Sequence, residues 1–208
     1  PLARLTSRLE AAGYRLRWEV LNAADHGVPQ LRKRLILYGL RGAEPPKLPA
    51  ATHSGWTETK RKFDQTLRPY VTSREAIGDL EDRDDLAADD EVVNGRWGHL
   101  LAEVPNGGNY LHFTEKLGHP RPLFEWRGRY WTFLLKLDPD RPSTTIQSQP
   151  GPYVGPFHWA NRRLRLLEVK RLQTFPDGYL VVAKTRRSWQ HQLGNAVPPM
   201  LAELVATP

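Results

Sequence analysis

The densest set of groups able to hold a ligand is Gln30-Leu31-Arg32-Lys33-Arg34. In an extended segment alternate side chains share a face, so Gln30, Arg32 and Arg34 should point one way and Lys33 the other. A guanidinium donates in a fixed planar fork, which suits an anionic or carbonyl-bearing ligand at the mouth of a sheet. The competing reading is a solvated basic edge that deters strand pairing. A second stretch, Gln192-Leu193-Gly194-Asn195-Ala196-Val197-Pro198-Pro199, runs into a short helix. There Gly194 permits close backbone approach, Asn195 can donate and accept, and the prolines stiffen the helix entry, although a purely structural turn has the same composition. In a third stretch, residues 168–177, helical spacing brings Glu168, Arg171 and Gln173 near an apolar stripe. Buried Glu and Arg are usually paired, so a structural ion pair is expected there rather than catalysis. The chain has no cysteine, which excludes a disulfide, a thiolate zinc site and a cysteine nucleophile within these 208 residues. The seven histidines show no pair at helical ligand spacing, and no metal site is expected.

The elements that must position these groups follow from periodicity. Leu2, Leu5 and Leu9 predict an amphipathic helix that Gly13 ends. Residues 15–21 alternate, and residues 34–40 form a nearly continuous apolar run, so two strands are predicted, the second buried, with a turn-rich link at 22–32. Residues 42–55 read as a linker. Residues 72–80 read as a short helix capped by Thr72 or Ser73, and the acidic run 81–91 as a solvated loop. Residues 104–160 are rich in Gly, Pro and aromatics, with a strand predicted at 130–137, which suits a small irregular β module. Leu164, Leu167, Val169, Leu172 and Phe175 predict a helix ended by Pro176-Asp177-Gly178, and residues 199–205 a last one with Pro in its first turn.

Charge is segregated. Residues 1–73 hold 13 basic against 6 acidic side chains, residues 74–103 hold 3 against 10, and residues 104–208 hold 14 against 7. Two basic blocks around an acidic one make a polyanion such as DNA the leading partner class. No apolar run approaches the roughly 18 residues of a membrane span, and no basic-plus-apolar leader is present, so a soluble, cytoplasmic protein is expected.

Together the three stretches resemble the carboxy-terminal part of a bacterial DNA (cytosine-5)-methyltransferase. Residues 22–30 with Arg32 and Arg34 are similar to the family's eighth motif, with its Q-x-R-x-R core; residues 171–177 are similar to the ninth and 192–199 to the tenth. Residues 142–146 and 152–159 resemble the approach to the ninth motif. The ninth often reads R-x-L-T-x-R-E; here Arg165 stands at the Thr position and Leu167 at the second Arg, while Glu168 is retained. The family's F-x-G-x-G loop, Pro-Cys nucleophile and Glu-Asn-Val motif lie upstream of such a segment and are not in this chain.

The resemblance implies the edge of a Rossmann-like sheet of a methyltransferase dependent on S-adenosyl-methionine, plus a small, mostly β target-recognition domain. The implied division is 1–42 for the trailing part of the catalytic domain, 43–160 for target recognition, and 161–208 for a helical return to the catalytic domain. It also implies the transfer of a methyl group to C5 of a flipped cytosine in duplex DNA, within a restriction-modification system. Arg34 is then the cation near cytosine O2, Arg32 positions the site or a neighbouring phosphate, and Gln30 orients the loop. Gly194, Asn195 and Ala196 approach the cofactor. Arg127, Arg129, Thr144, Thr145 and Gln147 are candidates for reading bases, and Arg162 and Arg163 for touching phosphate. The nucleophile belongs to a missing amino-terminal portion, so the isolated chain is expected to be inactive. Two rivals remain open: a DNA-binding module without chemistry, and a nuclease in which Asp140, Glu168 and Lys170 mimic a metal site.

Overall fold

The computed structural model describes residues 2–55, 64–88 and 90–207. Helix α1 (Leu2–Ala11) ends where Gly13 takes a left-handed φ of 85°. Strand β1 (Tyr14–Asn22) then pairs antiparallel with β2 (Lys33–Arg41), Trp18 opposite Leu37, Val20 opposite Leu35 and Leu21 opposite Arg34. Directly opposed residues share a face. One face of the hairpin therefore presents Trp18, Val20 and Leu35, all about half exposed. Leu21 and Ile36, on the other face, pack against Ala23, Val28 and Leu201 of the last helix, α5 (Pro199–Ala206), and the Tyr38 hydroxyl donates to Val205 O at 2.7 Å. The expected burial of the second strand is thus corrected: no residue of β2 is buried, because β2 has one strand neighbour and only one covered face.

The link between the strands is a single 3-10 turn, Ala23–His26, closed by Gly27 at φ 88°. Ala23, Ala24 and Val28 have no exposed surface, so this short link is packed like core. Beyond it, β3 (His53–Ser54) and β4 (Arg68–Pro69) form a two-residue parallel pair. Helix α2 (Ser73–Ile77) has Thr72 as its cap. The Thr72 side chain accepts from Glu75 N at 3.2 Å, and the Glu75 carboxylate accepts from Thr72 N at 2.7 Å, a reciprocal pair that satisfies two orphan donors. Ser73 instead donates through its hydroxyl to Arg141 O.

The strand expected at 130–137 does not form. Leu134 takes a φ of 54°, and only isolated bridges from Phe133 to Val154 and from Lys136 to Phe157 remain. The apolar run reported burial correctly, since Phe133, Leu134, Leu135 and Leu137 are buried, but an L-residue at positive φ breaks an extended ladder. The described part of 43–160 is accordingly irregular without being mostly β. Beyond β3, β4 and α2 it is built of 3-10 turns such as Gly98–Ala102 and Tyr110–Phe113, the latter in a cluster of Tyr110, Phe113, Phe124 and Phe133 whose rings meet edge to face.

A second core joins Ile77 and Leu80 to Leu137, Ile146 and Leu164, Val169 and Leu172 of α3 (Leu166–Leu172), and Leu193 of α4 (Arg186–Asn195). Helix α3 is shorter than its periodicity predicted because Thr174 turns to φ 61°. The acidic run is solvated only in part. Residues 82–85 are exposed, but Glu91 is buried against the Arg165 guanidinium at 2.8 Å, and Asp90 pairs with Arg186 at 2.6 Å; Asp89 lies outside the described residues.

Candidate functional site

Two of the three side chains of the Gln30-Arg32-Arg34 row are withdrawn from solvent. Arg32 has no exposed surface. Its Nη2 donates to Gly194 O at 2.6 Å and Ala196 O at 2.9 Å, and its Nη1 to Ile146 O at 3.2 Å and Gln30 Oε1 at 3.4 Å. Gln30, equally buried, donates from Nε2 to Leu172 O at 3.3 Å. The backbone completes the junction, with Leu31 N donating to Ser143 O and Ser143 N to Pro29 O. One guanidinium therefore fastens the first stretch to residues 146, 194 and 196, which are distant in sequence. Burial, with Arg34 adding like charge, holds its pKa down to about 10. In this chain Arg32 presents no surface on which to meet a phosphate.

Arg34 is the member of the row that stays half-buried. Its Nη1 donates to Lys33 O at 2.8 Å, no carboxylate pairs with it among the described residues, and burial lowers its pKa. Lys33, on the other face of β2, lines a cleft of about 820 Å³. Asn22, Leu31, Trp131, Lys136 and Thr144 line it as well. Sequence reasoning passed over Lys33, Trp131 and Lys136. Lys33 was visible as the out-of-register member of a basic run, whereas nothing local marked the other two. The Lys136 ammonium, buried and donating to Asn161 Oδ1 at 2.6 Å, has its pKa lowered by desolvation.

The expected base-reading residues separate. Thr144 and Thr145 line the cleft, and the Thr145 hydroxyl donates to Leu31 O at 2.7 Å. Gln147 abuts Gly194 through its backbone. Arg127 and Arg129 are exposed on the aromatic module, Arg127 at φ 61°, with the Arg129 guanidinium 5.9 Å from the Phe124 ring and 5.8 Å from that of Phe133.

The two arginines expected on phosphate differ in their contacts. Arg162 forks onto Glu168 at 3.0 and 2.7 Å, a structural pair that occupies its donors. Arg163 Nη2 donates to Pro152 O at 3.1 Å from a partly buried position. Glu168, fully buried, also accepts from Arg165 N at 2.7 Å and so fixes the start of α3; the ion pair expected there forms with Arg162, whereas Arg171 pairs with Asp79 and Asp177. The Arg165 guanidinium reaches Glu91 and the carbonyls of Leu80 and Arg83. The departure from the ninth-motif pattern at Arg165 is therefore matched by an acidic partner, Glu91, in the run 81–91. His158 lies inside this network. Its Nδ1 accepts from Ala160 N at 3.0 Å, and burial followed by the charges of Arg162 and Arg165 holds its pKa down to about 3. With Glu168 committed to Arg162, and Lys170 donating to Asp177 O, the nuclease arrangement has no open carboxylate on α3.

Of the three residues expected at a cofactor, Gly194 faces the chain itself. A Cβ there would lie 2.4 Å from Ser148 Cα and 2.5 Å from Ser148 N. Its carbonyl and that of Ala196 are occupied by Arg32. Asn195 is exposed, with Nδ2 3.2 Å from His191 Nε2, and is the one side chain of the three presenting a polar group outward. A cofactor-facing role fits Asn195 and does not fit Gly194.

Comparison with known proteins bears on the whole chain. A family model described as C-5 cytosine-specific DNA methylase matches residues 2–208. Type II methyltransferase M.SacI of Streptomyces achromogenes is 48% identical over 212 residues, which cover 97% of this chain and 53% of that protein. Type II methyltransferase M1.HphI of Haemophilus parahaemolyticus is 31% identical over 211 residues, covering 98% of this chain and 50% of that one. The structure of the Entamoeba histolytica methyltransferase EhMeth superposes with a TM-score of 0.53 at 12% identity over 99% of this chain and 56% of its own, a likeness of fold. The chain spans about half the length of the curated relatives it matches.

Proposed function

Because the chain belongs to the C-5 cytosine-specific DNA methylase family, we propose that it is the target-recognizing and site-supporting part of a DNA (cytosine-5)-methyltransferase in a restriction-modification system. The attacking thiolate is supplied by residues outside these 208, since the chain holds no cysteine. The observation that carries the reading is the Arg32 clamp, which ties the Q-x-R-x-R segment to residues 194 and 196 and so holds two motif segments of the family together at one end of the hairpin. The uncovered hairpin face with Trp18, Val20 and Leu35 supports it further, as a sheet face of this kind is normally covered by another layer.

In this reading a cytosine leaves the stack and enters the site that Arg34 borders, because C5 and C6 cannot be reached correctly inside a stacked duplex. Arg34 places a cation where negative charge develops on O2 as the ring is attacked. Arg32 holds the strand that carries Arg34, and Gln30 ties the preceding turn to α3. S-adenosyl-methionine supplies the methyl group when bound, and Asn195 is this chain's contribution at its edge. Arg127 and Arg129 meet the duplex, with Thr144 and Thr145 at the cleft wall.

The test joins or mixes the chain with an amino-terminal portion that carries a Pro-Cys motif. Methyl transfer to duplex DNA should appear only in the combination, and robust transfer by the 208-residue chain alone would refute the reading. Arg34→Ala in the restored enzyme should lower methyl transfer by roughly 100-fold while changing DNA affinity by less than about 3-fold. Equal losses would make Arg34 a phosphate contact.

A further inference from the structure

Among the described residues the two most exposed aromatic side chains lie on the aromatic module. Tyr130 is 79% exposed and Trp131 52%, although the backbone that carries them is held from several directions. The buried Tyr110 hydroxyl donates to Arg129 O at 2.8 Å and accepts from Arg129 N at 3.2 Å. Asn109 Nδ2 donates to Trp131 O at 2.9 Å, Phe133 N to Tyr130 O at 2.9 Å, and Gly155 N to Thr132 O at 2.8 Å. Solvent exposure of two adjacent aromatic side chains is unfavourable, and a backbone pinned in this way cannot fold them inward. Their surroundings are basic. Residues 116–131 contain four basic side chains, Lys116, Arg121, Arg127 and Arg129, against the single acidic Glu125. Trp131 also lines the 820 Å³ cleft beside the hairpin, together with Lys33 and Lys136.

We propose that Tyr130 and Trp131 form an aromatic wedge that enters a DNA duplex at the cleft mouth and fills the gap left when one base is drawn out of the stack. The proposal rests on the DNA-binding reading above and names the residues that would do this step. Duplex DNA is the occupant that the charge favours, because the rings are bordered by cations that suit phosphates on either side of an opened step. A vacated step offers two base faces, and rings held rigid beforehand stack there with little further loss of freedom. The same reasoning separates this pair from the buried aromatic cluster, whose rings are already satisfied by one another.

The experiment uses the 208-residue chain and two mixed-sequence duplexes, one fully paired and one with a single central abasic nucleotide, compared by fluorescence anisotropy. Because stacking is sequence-tolerant, the chain should prefer the gapped duplex by about 10-fold. Tyr130→Ala with Trp131→Ala should reduce that preference below roughly 2-fold while binding to the paired duplex stays within about 3-fold, and Tyr130→Phe with Trp131→Phe should keep it. Equal binding of both duplexes by the unaltered chain, or an unchanged preference in the double alanine variant, would overturn the wedge while leaving the DNA-binding reading intact. Binding to neither duplex would refute both. Self-association in sedimentation that the double alanine variant abolishes, without a preference for the gap, would assign the patch to a second copy of the chain and overturn the proposal.

Discussion

Replacing Arg32 by Met preserves most of the side-chain volume and removes the guanidinium that joins residues 30, 146, 194 and 196. The two short bonds, to Gly194 O at 2.6 Å and Ala196 O at 2.9 Å, dominate the loss. At about 1.5–3 kcal/mol for each bond from a charged donor, they contribute about 3–6 kcal/mol. Against this stands the cost of burying an unpaired cation. Burial lowers the Arg32 pKa from its ordinary value to about 10, which corresponds to about 3 kcal/mol that the Met variant would recover. Three carbonyls, those of Gly194, Ala196 and Ile146, would then be left without this donor at about 1 kcal/mol each, which returns the net effect to a destabilisation of about 3–6 kcal/mol. With a urea m-value of about 2 kcal/mol/M, the unfolding midpoint should fall by about 1.5–3 M. Hydrogen exchange should also lose protection first across residues 193–197. A midpoint within about 0.3 M of the unaltered chain would refute the clamp as an energetic junction, whatever its geometry. Arg32→Lys should recover little, since a single ammonium cannot span carbonyls on two separate segments in the fixed fork of a guanidinium.

Two further outcomes follow from the same contacts. Gly194→Ala places a methyl group 2.4 Å from Ser148 Cα, backbone against backbone, so the variant should lose about 1–3 kcal/mol in urea unfolding; an unchanged midpoint would show that α4 does not need this approach. His158 has a folded pKa of about 3, below its ordinary 6.5, so its neutral form contributes stability above pH 6.5 that is lost as the pH falls towards 3, by up to about 1.4 kcal/mol per pH unit. His158→Gln should therefore flatten the stability profile between pH 6.5 and 4.5, and identical slopes in the two proteins would contradict the burial argument.

How far the site could be read in advance depended on whether a signal was local. Periodicity found α1, β1 and α5, and residue type narrowed the cap of α2 to Thr72 or Ser73, because each rests on neighbours within one or two turns. It overextended α3 and drew a strand at 130–137, since an apolar run reports burial without reporting whether the backbone can remain extended. The acidic run illustrates the same limit. Its composition described a solvated loop, but whether Glu91 meets water or Arg165 depends on a partner 74 residues away.

The residue types by themselves determined what this chain can and cannot supply. Without a cysteine it cannot form the thiolate adduct, and its Q-x-R-x-R and Gly-Asn-Ala segments, in that order, marked the family that the whole-chain match identifies. Tertiary structure decided which of those residues faces a ligand. Strand alternation placed Arg32 and Arg34 on one face, but only the packing of residues 146 and 194–196 against Arg32 turned one arginine into an interior clamp and left the other half-open. Tyr130 and Trp131 likewise read only as the start of a strand in sequence. The hydrogen bonds of Asn109 and Tyr110 to the backbone beside them set their direction, because a side chain's exposure is fixed by what its backbone is anchored to as well as by its own hydrophobicity.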